Sequence, residues 1–328
     1  MGWAAAFTAA AVAFVLISGA NDGAALLGLG LRFPEVPGWL IAALLAGVLF
    51  AEPYLGGIAV ARTFTERLVA FGAAGGAATF LTGVITAVVV VAVLTGRGLP
   101  TSLTLALIGG ITGAGLGAGL PVSWSGLGAV LGAGLAAPIA GLFLGYQLGT
   151  VLGRLPASRR MPRLVRAAHL LAYGVQSVAY AANDGQKMIA VVGVAIAAAG
   201  GGPGAIGEID VPPAWMAALT VLFFAGALTS LNRVGERLGR GLVITRPPHI
   251  VCAEAAAAGA VLGSVAIGCP VSMTQSIAAG VVGVVAREGV GRVRWQHVAN
   301  IALAWVITLP AAMILAGLAG LALRLLRM

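Results

Sequence analysis

Charge is what this chain has least of. Only 9% of its 328 residues are Asp, Glu, Lys or Arg, and lysine occurs once, at Lys187. A soluble globular domain carries about 25% charged residues. There is too little polar surface here to coat a soluble particle. Cysteine is scarce as well. Cys252 and Cys269 lie in or beside apolar segments without metal-ligand spacing and read as packing residues. No Walker sequence and no stretch of soluble-domain character occurs, which argues against an ATP-driven pump carried on this one chain. No nucleophile–base pair or metal constellation is present either, so an enzyme is not expected and no cofactor is implied.

What remains is apolar. The chain is 60% hydrophobic with 50 glycines, and its mean hydropathy is +1.04. The apolar runs are long. A β-barrel would instead show ~10-residue segments of alternating hydropathy. The class is an all-α polytopic membrane protein. Residues 1–20 lack a basic leader region and read as the first membrane segment, not a cleaved signal peptide. The net charge is +9. Arg154, Arg159, Arg160, Arg163 and Arg166 crowd one loop, which the positive-inside rule places in the cytoplasm. These arginines set topology, and no nucleic-acid partner is expected.

Apolar runs long enough to span, which need ~20 residues, fall at about 3–31, 38–58, 68–95, 124–152, 165–200, 213–231, 249–268 and 296–323. Two shorter glycine-rich segments, about 99–119 and 269–286, each open on a proline and a hydroxyl cluster. Short Gly/Pro-interrupted segments at matching places in two halves point to a transporter binding site. The halves repeat. Asn21 to Asn183 is 162 residues, Pro100 to Pro270 is 170, Trp124 to Trp295 is 171 and Pro138 to Pro310 is 172. Arg62-Thr63-Phe64-Thr65-Glu66-Arg67 also resembles Arg233-Val234-Gly235-Glu236-Arg237. The expected organisation is repeat 1 over 1–155, a basic cytoplasmic linker over 156–164 and repeat 2 over 165–328. The span count leaves open whether the repeats are parallel or inverted: four crossings per half make them parallel, and one miscounted segment inverts them.

Two copies of one polar theme sit in apolar sequence: Gly19-Ala20-Asn21-Asp22-Gly23 and Ala182-Asn183-Asp184-Gly185-Gln186-Lys187. A charge at the bilayer centre costs roughly 2.5–3.5 kcal/mol on insertion scales, so a carboxylate in each half marks a polar site between them. Pro100-Thr101-Ser102-Leu103-Thr104 and Pro270-Val271-Ser272-Met273-Thr274-Gln275 each precede an apolar helix. Ser and Thr are good N-caps, and two helix N-termini facing each other suit a small oxyanion. The expected anion ligands are Asn21, Asn183, Ser102, Thr104, Ser272 and Thr274. Asp22 and Asp184 are the expected cation ligands, with sodium or a proton between the carboxylates and the anion. Thr101 and Gln275 support the hairpin starts. Lys187, three residues after Asp184, is expected to pair with it, with direct substrate contact as the alternative. Glu52 and Glu254 are the other acids within apolar runs, and Glu254 is expected to face the interior. His169, His249 and His297 lie near segment ends, where interfacial packing is expected.

These motifs resemble the inorganic phosphate transporter (PiT) family. The resemblance rests on Gly19-Ala20-Asn21-Asp22, Asn183-Asp184-Gly185-Gln186-Lys187, Gly98-Leu99-Pro100-Thr101-Ser102, Gly268-Cys269-Pro270-Val271-Ser272 and the run Asn300 to Pro310. It implies two inverted repeats with broken helices and two re-entrant hairpins, roughly 8–12 membrane segments, and commonly a homodimer in the plasma membrane. It implies phosphate symport with sodium or protons. It also implies that the Asn-Asp pairs and hairpin hydroxyls line the site, with Gln186 beside Asp22 and Asp184 as a cation ligand. The family usually writes the hairpin start Ser-Thr-Thr-His. Here Leu103 and Leu105, and Met273 and Gln275, interrupt that pattern, and Ala25 stands where the family usually has asparagine. The expectation is phosphate symport by alternating access. The alternatives are another oxyanion such as sulfate, a passive anion channel, and a scaffold that does not transport.

Overall fold

The structure is a computed structural model. It describes residues 2–33, 35–72, 75–96, 101–154, 161–201, 209–236 and 246–326. Gly98, Leu99, Pro100, Arg159, Arg160 and Arg237, singled out above, lie outside the described residues, as does 156–160 of the expected linker.

Each half begins with one long helix that passes through a π-helical turn. In the first half α1 (Gly2–Ser18) runs into the π turn Gly19–Gly23 and on into α2 (Ala24–Gly30). In the second, α8 (Met161–Tyr180) runs into the π turn Ala181–Gly185 and on into α9 (Gln186–Gly201). Both Asn-Asp pairs therefore lie in wide turns and not in clean breaks. A π turn has one residue too many for the α ladder, so backbone groups and side chains are re-aimed there, often at functional sites. Met161 to Leu164, read above as linker, are the first turn of α8, where Pro162 is tolerated because its missing N–H had no helical partner.

The remaining elements follow the expected segments closely. In the first half these are α3 (Gly38–Gly56), a short α4 (Ala59–Arg62), α5 (Gly76–Gly96), α6 (Leu103–Ala118) and α7 (Trp124–Leu152). In the second half these are α10 (Pro213–Glu236), α11 (Pro247–Val265), α12 (Met273–Glu288) and α13 (Trp295–Leu325). Among the described residues, seven stretches are long and apolar enough to cross a membrane. The helix α5 starts eight residues later than its apolar run, because Val69 pairs with Val122 in a β-bridge and the chain turns at 71–72. Trp39, Trp124, Trp215 and Trp295 each stand within the first three residues of α3, α7, α10 and α13, and all four are exposed. Tryptophan favours the membrane–water interface.

α5 and α6 pack as one hairpin, and α11 and α12 as another. The 170-residue offset recurs physically in these crossings. A side chain at Gly83 would meet the backbone of Gly110, and Gly280 meets that of Ala253, the residue equivalent to Gly83. The halves also interlock. α7 lies along α12, while α13 lies along α6. A Cβ on Gly113 of α6 would strike the Met313 carbonyl, and one on Gly283 of α12 would strike the Leu142 carbonyl. These are the same crossing seen twice, at offsets of 170 and 171. Small residues allow such backbone approach, and dispersion then holds helices together in lipid. Gly283→Leu and Gly113→Leu are each expected to lower the thermal midpoint in detergent, at an overpacking cost of about 1–3 kcal/mol or more. Gly134→Leu, which faces open space, is the control; midpoints that match the control would overturn the packing assignment.

Candidate functional site

The hairpin tips end inside the protein. Ser102 caps α6 by accepting from Leu105 N–H at 3.3 Å, and Ser272 caps α12 by accepting from Gln275 N–H at 3.4 Å. The sequence equivalence of the two serines is thus an equivalence of geometry. Both are buried, as are Thr101, Thr104 and Gln275, while Thr274 is half-buried. Thr101 lies 3.2 Å from the Thr95 hydroxyl across the first tip, and Thr274 lies 3.0 Å from the Ser272 hydroxyl. The two tips touch directly, where Thr104 donates to the Val271 carbonyl at 3.2 Å.

The second π turn locks onto this contact. Asn183 donates to the Val271 carbonyl at 2.7 Å and accepts from Val271 N–H at 3.0 Å, so one amide side chain clamps the backbone of one residue from both sides. Its second amide hydrogen goes to Asp184 at 2.8 Å. The Lys187 ammonium donates to Asp184 Oδ1 at 2.5 Å, Thr104 Oγ1 at 2.5 Å and the Val271 carbonyl at 2.8 Å. An ammonium has three donors, and all three are spent. The Asp184 carboxylate also accepts from the backbone N–H of Met273, the first residue of α12. A carboxylate there meets the positive end of the helix dipole. Lys187 is 1% exposed. Its pairing with Asp184 is as expected from their spacing, and no donor is left over for direct substrate contact.

The first π turn is built alike but is less filled. Asn21 donates to Asp22 Oδ1 at 2.9 Å, matching the pair in the second turn. Asn21 is half-buried and Asp22 is buried, within electrostatic reach of Asp184 and Lys187. The Asp184 carboxylate and both hairpin tips meet at one locus, and Asp22 lies within electrostatic reach of it. Gln186 points elsewhere. Its Oε1 accepts from Val60 N–H at 2.7 Å and Ala61 N–H at 3.2 Å, and its Nε2 donates to the Gly57 carbonyl at 2.8 Å. It anchors the start of α4, which then reaches the second hairpin through Thr63, donating to the Gly268 carbonyl at 2.7 Å. Among the described residues no cluster of His, Cys, Asp and Glu is fit to hold a metal ion.

A second polar feature escaped the sequence reading. His169, Tyr173, Gln176 and Tyr180 are all fully buried on one face of α8, and the spacing carries on to Asn183, Asp184 and Lys187. The signal was there as three- and four-residue steps of polar residues on one helical face. His169 is not interfacial as expected. Its Nδ1 lies 2.9 Å from Glu254 Oε2, its Nε2 lies 3.2 Å from the Gly30 carbonyl, and its ring stacks on Phe33 at 3.8 Å. Burying Glu254 calls for a partner, and the nearest long helix supplies the histidine. Glu254 faces the interior as expected.

The comparisons agree with this architecture. A family model described as the phosphate transporter family matches residues 153–316, half of the chain. A probable low-affinity inorganic phosphate transporter of Mycobacterium bovis is 32% identical over 169 residues, covering 50% of this chain and 38% of that protein. The corresponding protein of Rhizobium meliloti is 30% identical over 154 residues, covering 47% of this chain and 45% of its own length. The matched stretch thus spans less than half the length of these two relatives. A solved structure titled "The sodium-dependent phosphate transporter" superposes with a TM-score of 0.82 at 16% identity, covering 99% of this chain and 100% of that one. The last likeness is one of fold.

Proposed function

Because the chain belongs to the phosphate transporter family, a family of transporters and not of enzymes, we propose that it is a secondary active symporter. It moves inorganic phosphate across the plasma membrane with sodium or protons, by alternating access. One observation carries this reading: the second Asn-Asp π turn and both capped hairpin tips meet at a single buried locus, with Asp22 of the first Asn-Asp π turn within electrostatic reach of it.

Residues 1–155 and 165–328 act as the two repeats, with the basic linker between them. Each holds three crossing elements and one re-entrant hairpin. Three is odd, so the second repeat enters the membrane from the opposite side, and the four-crossing count is replaced. The pair α5 and α6 is the reason, since α5 returns through α6 instead of crossing alone.

The anion sits at the hairpin tips, where Ser102, Ser272 and Thr274 bring hydroxyls and Asn21 brings an amide, while Thr104 keeps its one donor on the Val271 carbonyl. Helix N-termini favour anions there. Asn183 and the Thr104 bond to Val271 hold the tips together in the enclosed state. Breaking that bond opens the site to one side. The mobile cation binds at Asp22 and screens the entering anion. Gln186 serves as the anchor of α4, while Thr101 and Gln275 steady the tips.

The test is radiolabelled phosphate uptake into proteoliposomes under imposed sodium or proton gradients, with sulfate as competitor. Accumulation driven by one gradient is expected, and it names the ion. Flux that follows the phosphate gradient alone would mean a passive pore. No uptake by folded protein under either gradient, with sulfate carried instead, would reassign the substrate.

A further inference from the structure

The two π turns are alike in backbone and in their Asn-Asp pairs, yet they differ sharply at one equivalent position. Two residues past the first turn stands Ala25, buried in α2; two residues past the second stands Lys187, buried in α9. The Lys187 ammonium is held by a carboxylate oxygen, a hydroxyl oxygen and a backbone carbonyl oxygen, at 2.5, 2.5 and 2.8 Å. Hard cations take such oxygen sets, and in transporters the carbonyls of unwound segments and half-helix ends coordinate the coupling ion. Val271, at the tip of the second hairpin, supplies such a carbonyl.

We infer that Lys187 is a tethered cation that fills a coupling-ion site formed by Asp184, Thr104 and the Val271 carbonyl, leaving Asp22 as the sole carboxylate of the pair open to a mobile cation. The inference rests on the reading of this locus as the transport site. It makes the two repeats functionally unequal. The second carboxylate is neutralised permanently and in cis. The first has no basic residue on its own helix at the matching position, and so it depends on an ion from solution. Lys187 also joins both hairpin tips and α9 through one nitrogen, a bridge that a bare ion would make only while bound.

The experiment is equilibrium binding of radioactive sodium to the purified full chain in detergent, with choline balancing the ionic strength and no phosphate present. Wild type is expected to bind at most one sodium per chain. Lys187→Met is expected to bind one more than wild type, and Lys187→Met combined with Asp184→Asn is expected to lose that extra ion. Lys187→Gln is the second variant, expected to gain the same ion while keeping a polar partner for Thr104. Two or more sodium ions on wild type, or equal numbers on wild type and a folded Lys187 variant, would overturn the inference. If neither single variant folds, the wild-type stoichiometry still decides. Phosphate enters no arm, so failure of the phosphate reading would appear in the uptake assay and not here.

Discussion

Asp22→Asn is expected to reduce gradient-driven phosphate uptake by roughly two orders of magnitude while leaving the protein folded. The fold survives because Asp22 Oδ1 accepts from the amide of Asn21, and an asparagine oxygen accepts that bond equally. The backbone of the π turn needs no charge. Coupling does need it. A carboxylate at membrane depth costs roughly 2.5–3.5 kcal/mol unpaired, and binding a cation relieves that cost. Removing the charge removes the reason for the cation to enter, and about 2.7 kcal/mol of lost binding corresponds to about a hundredfold. Uptake in proteoliposomes, alongside a thermal midpoint, checks both halves of the prediction. Normal coupled uptake by Asp22→Asn would sink the assignment of the cation to this residue.

Asp184→Asn is expected to behave differently, as a stability variant first. Lys187 would keep two neutral acceptors, Thr104 and the Val271 carbonyl, but lose the carboxylate it is paired with. Breaking a buried ion pair by removing one partner typically costs about 3–5 kcal/mol, because the survivor is left as an uncompensated charge. Removing both charges is far less costly. Asp184→Asn in combination with Lys187→Met should therefore recover much of the thermal midpoint lost by Asp184→Asn alone. A coupling between the two substitutions of about 1–3 kcal/mol is expected for groups in direct contact. Measured in choline, without sodium, the cycle isolates the tethered pair. Strictly additive midpoints would mean that the ion pair does not hold the site together.

These two expectations differ although the residues are sequence equivalents, and the cause is Lys187. That asymmetry has a bearing on mechanism. A symmetric pair of bare carboxylates would call for two mobile cations before a divalent anion could approach. With one carboxylate already neutralised, a single ion suffices to bring the locus to neutrality. The departures at Leu103, Leu105 and Met273 do not dismantle the site, since Ser102, Thr104 and Ser272 keep their caps and contacts. They leave fewer hydroxyls to distinguish one tetrahedral anion from another, which is why sulfate belongs in the uptake assay as a competitor.

The sequence alone determined the membrane class, the ends of most helices to within a few residues, and the recurrence of the same landmarks in two halves. It did so because each of these is written in local chemistry. Apolar run length sets a span, Ser102 and Ser272 announce the starts of α6 and α12, and the same landmarks recur at offsets near 170. Lys187 and Asp184 were also legible as a pair, being one helical turn apart. Only the tertiary structure decided the rest. That α7 lies on α12 and α13 on α6 follows from glycine faces that meet across the two halves, and a glycine in sequence does not say which backbone it approaches. The family resemblance makes Gln186 an ion ligand, yet its amide turns away to the backbone at 57–61, a segment more than 120 residues earlier. His169 reads as interfacial from its place near a segment end, yet it lies buried against Glu254, 85 residues away. In each case a buried polar group must find its partner wherever the packing brings one, and that partner is set by three-dimensional proximity, which local sequence does not encode.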